Sequence, residues 1–180
     1  MRRLLLLTVA LSLGVDARAL ADEPPPGRWF VHASVGFNVY THLAASGTQP
    51  AADITPSDKA MTFEQVGVGY WVVPWARLQL AAMFGETLTG LKPGASSFTL
   101  AAIIPCVVLT SHGFFAGAGP MIAPRAFGTW DDHFGLFLVA GYALALGHGV
   151  SLALAVQAPV MFVQRESFAI TPALVLGYRF

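Results

Sequence analysis

Large hydrophobic residues alternate with small or polar residues along most of this 180-residue chain. A repeat of two residues is typical of a β-strand with one apolar face. The alternation is clearest at the end of the chain, where the apolar parity carries Phe168, Ile170, Leu174, Leu176, Tyr178 and Phe180. The same pattern predicts eight strands, which are Arg28–Tyr40, Met61–Val73, Trp75–Glu86, Ser96–Leu109, Gly113–Pro124, His133–Leu146, Gly149–Val163 and Ser167–Phe180.

The connections between these predicted strands differ in length in a regular way. Short turns follow the second, fourth and sixth strands, and the longest connection, Thr41–Ala60, follows the first. An even number of strands with short turns on one side and longer loops on the other is typical of membrane barrels. We therefore predict an all-β fold, an eight-stranded antiparallel transmembrane β-barrel with an up-and-down meander.

The composition indicates a chain that faces lipid. Hydrophobic residues make up 55% and charged residues only 11%, against about 25% charged residues in soluble domains. Two stretches, Pro93–Pro124 and His133–Gln164, contain no charged residue, and a hydropathy window would assign helices to them. Each stretch is interrupted near its middle by a His-Gly turn sequence, which leaves halves too short for a spanning helix. A helical membrane protein therefore remains the weaker alternative.

The first 21 residues have the plan of a secretory signal peptide. Arg2 and Arg3 precede an apolar run, and Ala19-Leu20-Ala21 resembles a cleavage site. We therefore predict a signal peptide at 1–21 and a single barrel domain at 22–180, in which 41–60 is a long extracellular loop. The mature chain has seven basic and nine acidic residues, and no basic cluster indicates nucleic-acid binding.

Polar residues on the non-lipid parity are predicted to line the barrel interior. An eight-stranded barrel has room only for side chains or one small ligand. We predict a structural plug of polar side chains that satisfy one another, with Tyr40 on the same face; its main members are His32, Ser34, Asn38, Gln65, Arg77, Gln79, Gln157 and Arg179. A narrow water-filled pore is the alternative.

Candidate chemistry is sparse. His32 and Ser34 lie two residues apart on one strand face, and nucleophilic catalysis needs such a pair together with an orienting carboxylate. The only strand carboxylates, Glu64 and Glu86, are predicted at the opposite end, so a lipid-modifying enzyme is the less favoured alternative. The five histidines lack metal-ligand spacing. We predict no catalytic activity, no metal and no cofactor, and Cys106 is predicted to act as a small buried hydrophobe.

The signal peptide, the even strand count, the loop asymmetry and the terminal aromatic together resemble small bacterial outer-membrane β-barrels of the OmpA/OmpX transmembrane type. The resemblance implies a location in the Gram-negative outer membrane, contact with its lipid and assembly by the barrel-assembly machinery. In that family the last strand carries the assembly signal, which Leu174, Leu176, Tyr178 and Phe180 match by position. We expect a structural or surface-interaction role for a monomer, with an unidentified partner at the loops.

Four prolines oppose this prediction. Pro105, Pro120, Pro159 and Pro172 fall inside predicted strands, where each removes a hydrogen-bond donor from the ladder. A closed barrel has no edge strand that would tolerate them. Each is expected to mark a bulge or an error in a strand boundary.

Overall fold

The computed structural model of the chain describes residues 28–43, 52–54, 60–88, 98–126, 133–163 and 165–180. The proposed signal peptide lies outside these residues. All regular structure in the described part is β-strand: β1 (Trp29–Phe37), β2 (Tyr40–Leu43), β3 (Ala52–Ile54), β4 (Met61–Val73), β5 (Ala76–Thr87), β6 (Phe98–Ser111), β7 (Phe114–Ala126), β8 (His133–Gly147), β9 (Val150–Val163) and β10 (Arg165–Arg179).

Eight long strands form a closed antiparallel barrel. Each strand from β4 to β9 pairs with the next in sequence, and β1 pairs with both β4 and β10. The closing ladder joins Phe30 to Arg179 at one end and Gly36 to Ala173 at the other. The predicted fold, an all-β meander barrel of eight strands, is confirmed, and β2 and β3 are short additions to it.

The helical alternative is wrong. Among the described residues no helix is long and apolar enough to cross a membrane. The two uncharged stretches are occupied, where they are described, by the hairpins β6–β7 and β8–β9. Their hydrophobicity comes from strands whose outer face is apolar and whose inner face is small or apolar.

Tight turns join the strands at one end of the barrel, which we call the short-turn end. His112-Gly113 and His148-Gly149 both have positive φ at the two central positions, at 51° and 84° and at 52° and 80°. This is the type I′ geometry, whose twist matches that of a hairpin and which favours Gly at the second position. Pro74-Trp75 forms the third turn. The interruptions that the sequence indicated within the uncharged stretches are therefore hairpin turns.

The four prolines lie where a ladder is already broken on one side. Between β6 and β7 the paired residues skip from Ile103↔Ile122 to Val107↔Ala118, and both Pro105 and Pro120 lie inside that gap. Each still pairs on its other side, with Leu80 and Leu136 respectively. The two prolines, which have no backbone N–H to donate, thus lie in the same interval between β6 and β7. The loss that they cause in the β6–β7 hydrogen-bond ladder is confined to this one stretch.

Pro159 and Pro172 follow the same rule. The β9–β10 ladder skips the residues between Phe168↔Val160 and Thr171↔Gln157, and Pro159 lies in that interval. Pro172 pairs with Val156 on β9, but it lies just past the last β1–β10 pair, Gly36↔Ala173. The four prolines therefore lie inside observed strands, as predicted, and mark local breaks in pairing, while the observed strand ends differ from the predicted ones by up to three residues.

A break between β1 and β2 changes which face the following residues occupy. Asn38 leaves the ladder, and its side-chain Oδ1 accepts a hydrogen bond from the Met61 backbone N–H at 2.8 Å. Pairing with β10 resumes at Tyr40↔Ile170, and Ile170 faces outward. Tyr40 therefore lies on the outside, and the prediction that it faces the lumen is wrong because this bulge shifts the parity by one residue.

The segment expected to be a long loop contains more structure than its polar composition indicated. β2 continues the path of β1 as far as Leu43. β3 pairs with β2 at Thr41↔Ile54, His42↔Asp53 and Leu43↔Ala52. This hairpin extends beyond the barrel wall, because β3 pairs with β2 alone. We call this end of the barrel the loop end.

All eight wall strands present large hydrophobic side chains to the outside. Examples from opposite sides of the wall are Val66 at 53% exposure and Leu154 at 70%. Aromatic side chains cluster near both rims of this apolar band. Those at the short-turn end are Trp29, Tyr70, Trp75, Phe114, Tyr142, Tyr178 and Phe180, and those nearer the loop end are Phe37, Tyr40, Phe84, Phe134, Phe162 and Phe168.

Candidate functional site: the barrel interior

The interior is divided into two halves of different chemistry. The predicted lumen residues face inward: His32, Ser34, Asn38, Gln65, Gln79 and Gln157 are buried, and Arg77 and Arg179 are partly buried. Most of them lie in the half nearer the short turns or at mid-height. The loop-end half is filled mainly by apolar side chains, so the interior is not a polar plug throughout.

The apolar half is closely packed. Its largest members, Phe63, Met83, Leu100, Ile104, Met121, Phe137 and Met161, are each at most 1% exposed. They come from six strands and form one contiguous cluster. Unbranched methionine side chains adapt to the irregular space inside a narrow barrel. This cluster fills much of the lumen between the loop end and the middle of the barrel.

A hydrogen-bonded group of polar side chains lies on the short-turn side of the apolar cluster. Gln157 Nε2 donates to Ser34 Oγ at 3.1 Å and to Gln65 Oε1 at 3.0 Å. These three residues belong to β9, β1 and β4, and Ser34 and Gln157 are 123 positions apart in the sequence. The group links side chains that enclose the lumen from different sides. Sequence parity predicts that each faces inward, but it does not predict which of them meet.

The His32 and Ser34 side chains do not form a catalytic pair. The Gln79 amide nitrogen lies 3.2 Å from His32 Nε2. Because an amide nitrogen only donates, His32 Nε2 accepts, and the neutral ring carries its proton on Nδ1. Ser34 instead receives its hydrogen bond from Gln157. The expectation that Glu64 lies at the opposite end from Ser34 is wrong, because Ser34 pairs with Gln65, the next residue along β4. Glu64 is nevertheless on the outer face of β4, away from Ser34, and Glu86 lies near the loop end of β5.

Arg77 is held by aromatic rings. Its guanidinium carbon lies 4.3 Å from the centroid of Phe30, 5.3 Å from that of Trp71 and 5.8 Å from that of Phe115. A ring face attracts a cation through its quadrupole. No described acidic side chain forms a salt bridge with Arg77, and its Nε is buried without a hydrogen-bond partner.

A cavity of about 300 Å³ lies in this half of the barrel. Arg77 and Arg179 line it together with His32, Gln65 and Gln157, and aromatic and aliphatic side chains form the rest of its wall. Its far end is bordered by the turn residues His112 and His148, so it extends to the short-turn end. The volume lies at the lower end of the range of small-molecule pockets.

The remaining titratable residues are dispersed. Among the described residues, no group of three His, Cys, Asp or Glu side chains is placed to hold a metal ion. Cys106 is a free, buried thiol packed in the apolar cluster. Its position on the inner face agrees with its parity in the sequence.

A polar cluster at the loop end was not predicted. Tyr40 donates to Asp53 Oδ1 at 2.8 Å, and His42 Nδ1 donates to the same oxygen at 2.6 Å. The Phe168 ring packs against both Tyr40 and His42. These bonds, from His42 first and Tyr40 second, hold the pKa of the Asp53 carboxyl below its usual range. The cluster joins β2 to β3, and only the unforeseen hairpin brings its members together.

The likeness of this chain to known proteins lies in solved structures. No protein-family model matches the chain, and no curated protein is similar to it in sequence. A solved structure from the de novo design of transmembrane β-barrels aligns with a TM-score of 0.48 and 14% identity, over 88% of this chain and 100% of the designed one. The topology and interior themselves define the class of this protein, a closed eight-stranded β-barrel whose lumen is packed in one half and holds a cavity in the other.

Proposed function

We propose that this protein is a bacterial outer-membrane β-barrel that is exported with a cleavable signal peptide. In this proposal the barrel is a closed scaffold without catalytic activity, and it presents its loop end, including the β2–β3 hairpin, to a partner outside the cell.

The apolar outer surface carries this proposal. Every wall strand contributes exposed Leu, Val, Ile or aromatic side chains, as Leu80 at 52% and Leu136 at 37% illustrate. Soluble monomers rarely expose a contiguous apolar surface of such extent. A sheet that faces lipid on its outer side must also close, because an unpaired strand edge is not tolerated in hydrocarbon.

The height of the apolar band supports a spanning arrangement. Ten positions of β10 separate Phe168 near one aromatic rim from Tyr178 near the other. At about 3.3 Å per residue this is about 33 Å of strand. At a strand tilt of about 40° the band is about 25 Å tall, the height typical of outer-membrane barrels.

The packed interior favours a scaffold over a pore. A conducting path would have to cross the cluster that contains Phe63, Met83 and Phe137, whose side chains are fully buried. The absence of catalysis is supported by the separate hydrogen bonds of Ser34 and His32, to Gln157 and Gln79.

The final strand supports assembly by the barrel-assembly machinery. Leu174, Leu176 and Tyr178 face outward on β10, and Phe180 follows them with 56% exposure. An outward-facing row at the closing strand is accessible to a factor that recognises the chain before the barrel closes. The row matches, by position, the signal that the family resemblance implies.

The proposal is tested by expressing the full chain in a Gram-negative bacterium. We expect the protein in the outer-membrane fraction, a mature start at Asp22, and a change in gel mobility between unheated and boiled samples. The purified barrel is then placed in planar lipid bilayers, where we expect no regular conductance steps.

Each result has a distinct meaning. Recovery in the soluble or inner-membrane fraction overturns the proposed location, and a retained Met1 overturns the proposed processing. Regular conductance steps with correct location and processing would leave the outer-membrane barrel in place and replace the closed scaffold by the narrow pore.

A further inference from the structure

The cavity at the short-turn end has the features of a binding site for a small ligand. It is separated from the loop end by the apolar cluster, and it reaches the turns that carry His112 and His148. Much of its wall is apolar, including Phe30, Trp71 and Phe137, and a few polar groups converge on it. Small-molecule sites combine such a wall with a few placed polar groups.

The charge of the cavity is positive and unbalanced. Arg77 and Arg179 both line it, and none of its described lining residues is Asp or Glu. Glu64 is next to the lining residue Gln65 but lies on the outer face of β4, and Glu86 lies near the loop end of β5. The rings around Arg77 stabilise its charge but cannot accept a hydrogen bond from the edge of the guanidinium group as a carboxylate does.

Unsatisfied hydrogen-bonding atoms surround the same space. Arg77 Nε, His32 Nδ1, Gln65 Nε2 and Gln157 Oε1 are buried and have no hydrogen-bond partner among the described residues. Their four residues all line the cavity. Buried polar atoms are normally paired, so the four orphaned atoms around this cavity are placed to bond to a molecule inside it. Three of these four atoms are donors, which favours a partner rich in acceptors.

We propose that this cavity binds a small amphipathic organic carboxylate. The carboxylate accepts hydrogen bonds from the guanidinium group of Arg77, an arrangement that suits the planar fork of arginine. The apolar body of the ligand lies against Trp71, Phe115 and Val139. Binding is a non-covalent role beyond the scaffold function proposed above, and it does not depend on the location of the barrel.

The test is a calorimetric titration of the refolded full-length mature barrel in an uncharged detergent. The probes are 4-nitrobenzoate and octanoate, with 4-nitrobenzamide as a neutral analogue of the first and empty micelles as the blank. Arg77→Gln removes the proposed anchor. Arg28→Gln is the matched control, because Arg28 lies at the same end of the barrel but is exposed and outside the cavity lining.

We expect saturable binding of both carboxylates with one site per barrel. 4-Nitrobenzamide is expected to bind at least tenfold more weakly than 4-nitrobenzoate. Arg77→Gln is expected to weaken carboxylate binding at least tenfold, whereas Arg28→Gln changes it less than twofold. The change in gel mobility on boiling establishes that each variant is folded before it is titrated.

Three results would overturn the proposal: no saturable binding of either carboxylate at millimolar concentration, equal binding of the acid and the amide, or unchanged binding by folded Arg77→Gln. The comparison of acid and amide uses the wild-type chain, so it decides the question even if Arg77→Gln does not fold. An equal loss of binding in Arg28→Gln would indicate a general electrostatic effect and would also refute the site.

Discussion

The replacement of Leu80 by arginine tests whether the outer surface of the barrel faces lipid. Leu80 lies on the outside of β5, five residues after Trp75 at the short-turn rim and four residues before Phe84 near the loop-end rim. It is therefore near the middle of the apolar band. Its side chain is 52% exposed and does not line the cavity.

The expected cost follows from this depth. An arginine that faces lipid at the bilayer midplane destabilises a barrel by about 2–4 kcal/mol, and the cost falls to about 0–1 kcal/mol near the interfaces. A loss of about 3 kcal/mol lowers the folding equilibrium constant about a hundredfold. An exposed position on a water-soluble protein would change by no more than about 0.5 kcal/mol. The two environments therefore predict clearly different results for the same variant.

Leu88→Arg is the matched control. Leu88 has nearly the same exposure, 53%, but it lies just after the end of β5 at the loop end. Both variants are refolded into uncharged lipid vesicles, and the free energy of unfolding is measured by denaturant titration with gel mobility as the readout. We expect a loss of about 2–4 kcal/mol for Leu80→Arg and at most about 1 kcal/mol for Leu88→Arg. Equal values for the two variants would refute a lipid-facing band.

Three further predictions concern the wall, the hairpin and the last residue. A Cβ added at Gly119 would lie 1.9 Å from the Pro105 carbonyl oxygen, whereas one added at Gly177 would meet only the Ser151 hydroxyl below 3 Å. Gly119→Ala should therefore cost about 1–3 kcal/mol and Gly177→Ala less than about 0.5 kcal/mol in the same unfolding assay, and equal costs would contradict the close strand approach. The pKa of Asp53 is lowered in the folded hairpin, so the ionised carboxylate stabilises the hairpin above the ordinary pKa of 3.8. This stabilisation is lost as the pH falls below that value. Amide protection in β2 and β3, corrected for intrinsic exchange, should decline in that range and become independent of pH in Asp53→Asn; persistence of the decline in that variant would implicate another group. Phe180→Ser should lower the outer-membrane level of the protein several-fold without changing refolding in detergent, whereas Phe134→Ser, at a similarly exposed position, should not; equal levels of the two variants would argue against an assembly signal.

Alternation was sufficient to predict the wall of the barrel. In β10 the outward residues Leu174 and Leu176 and the inward residues Ala173 and Thr171 were assigned correctly from parity alone. The reason is that successive side chains of a strand point to opposite faces, so every second residue has a side chain that suits the same environment. The His-Gly turns were also predictable, because their positive φ values favour a local residue choice.

Tyr40 shows where this inference fails. The hydrophobic alternation continues up to Tyr40, and no local residue pattern indicates that the inward-facing parity shifts by one residue after Asn38. The shift depends on the partner strands, since Asn38 bonds to Met61 of β4 while Tyr40 pairs with Ile170 of β10. The same shift creates the Tyr40, His42 and Asp53 cluster, which therefore could not be anticipated.

The interior shows the same limit for the candidate site. Parity placed Arg77 and Gln157 inside the barrel, but the expectation of a polar plug overlooked inward-facing apolar residues such as Met83 and Phe137, which close the loop-end half. The cavity beside Arg77 is a property of how residues from many strands meet. No single segment of the sequence encodes its volume or its unbalanced charge.

The sequence by itself determined the strands, their two faces, the tight turns and the closed meander, because each depends on a repeat of two residues or on the conformation of a few neighbours. The tertiary structure decided the register between strands. Register places Pro105 and Pro120 in one interval between β6 and β7, joins Ser34 to Gln157 across 123 positions, and leaves Arg77 among three rings without a described acidic partner. These contacts join residues that are distant in the chain, and their geometry exists only once the barrel has closed.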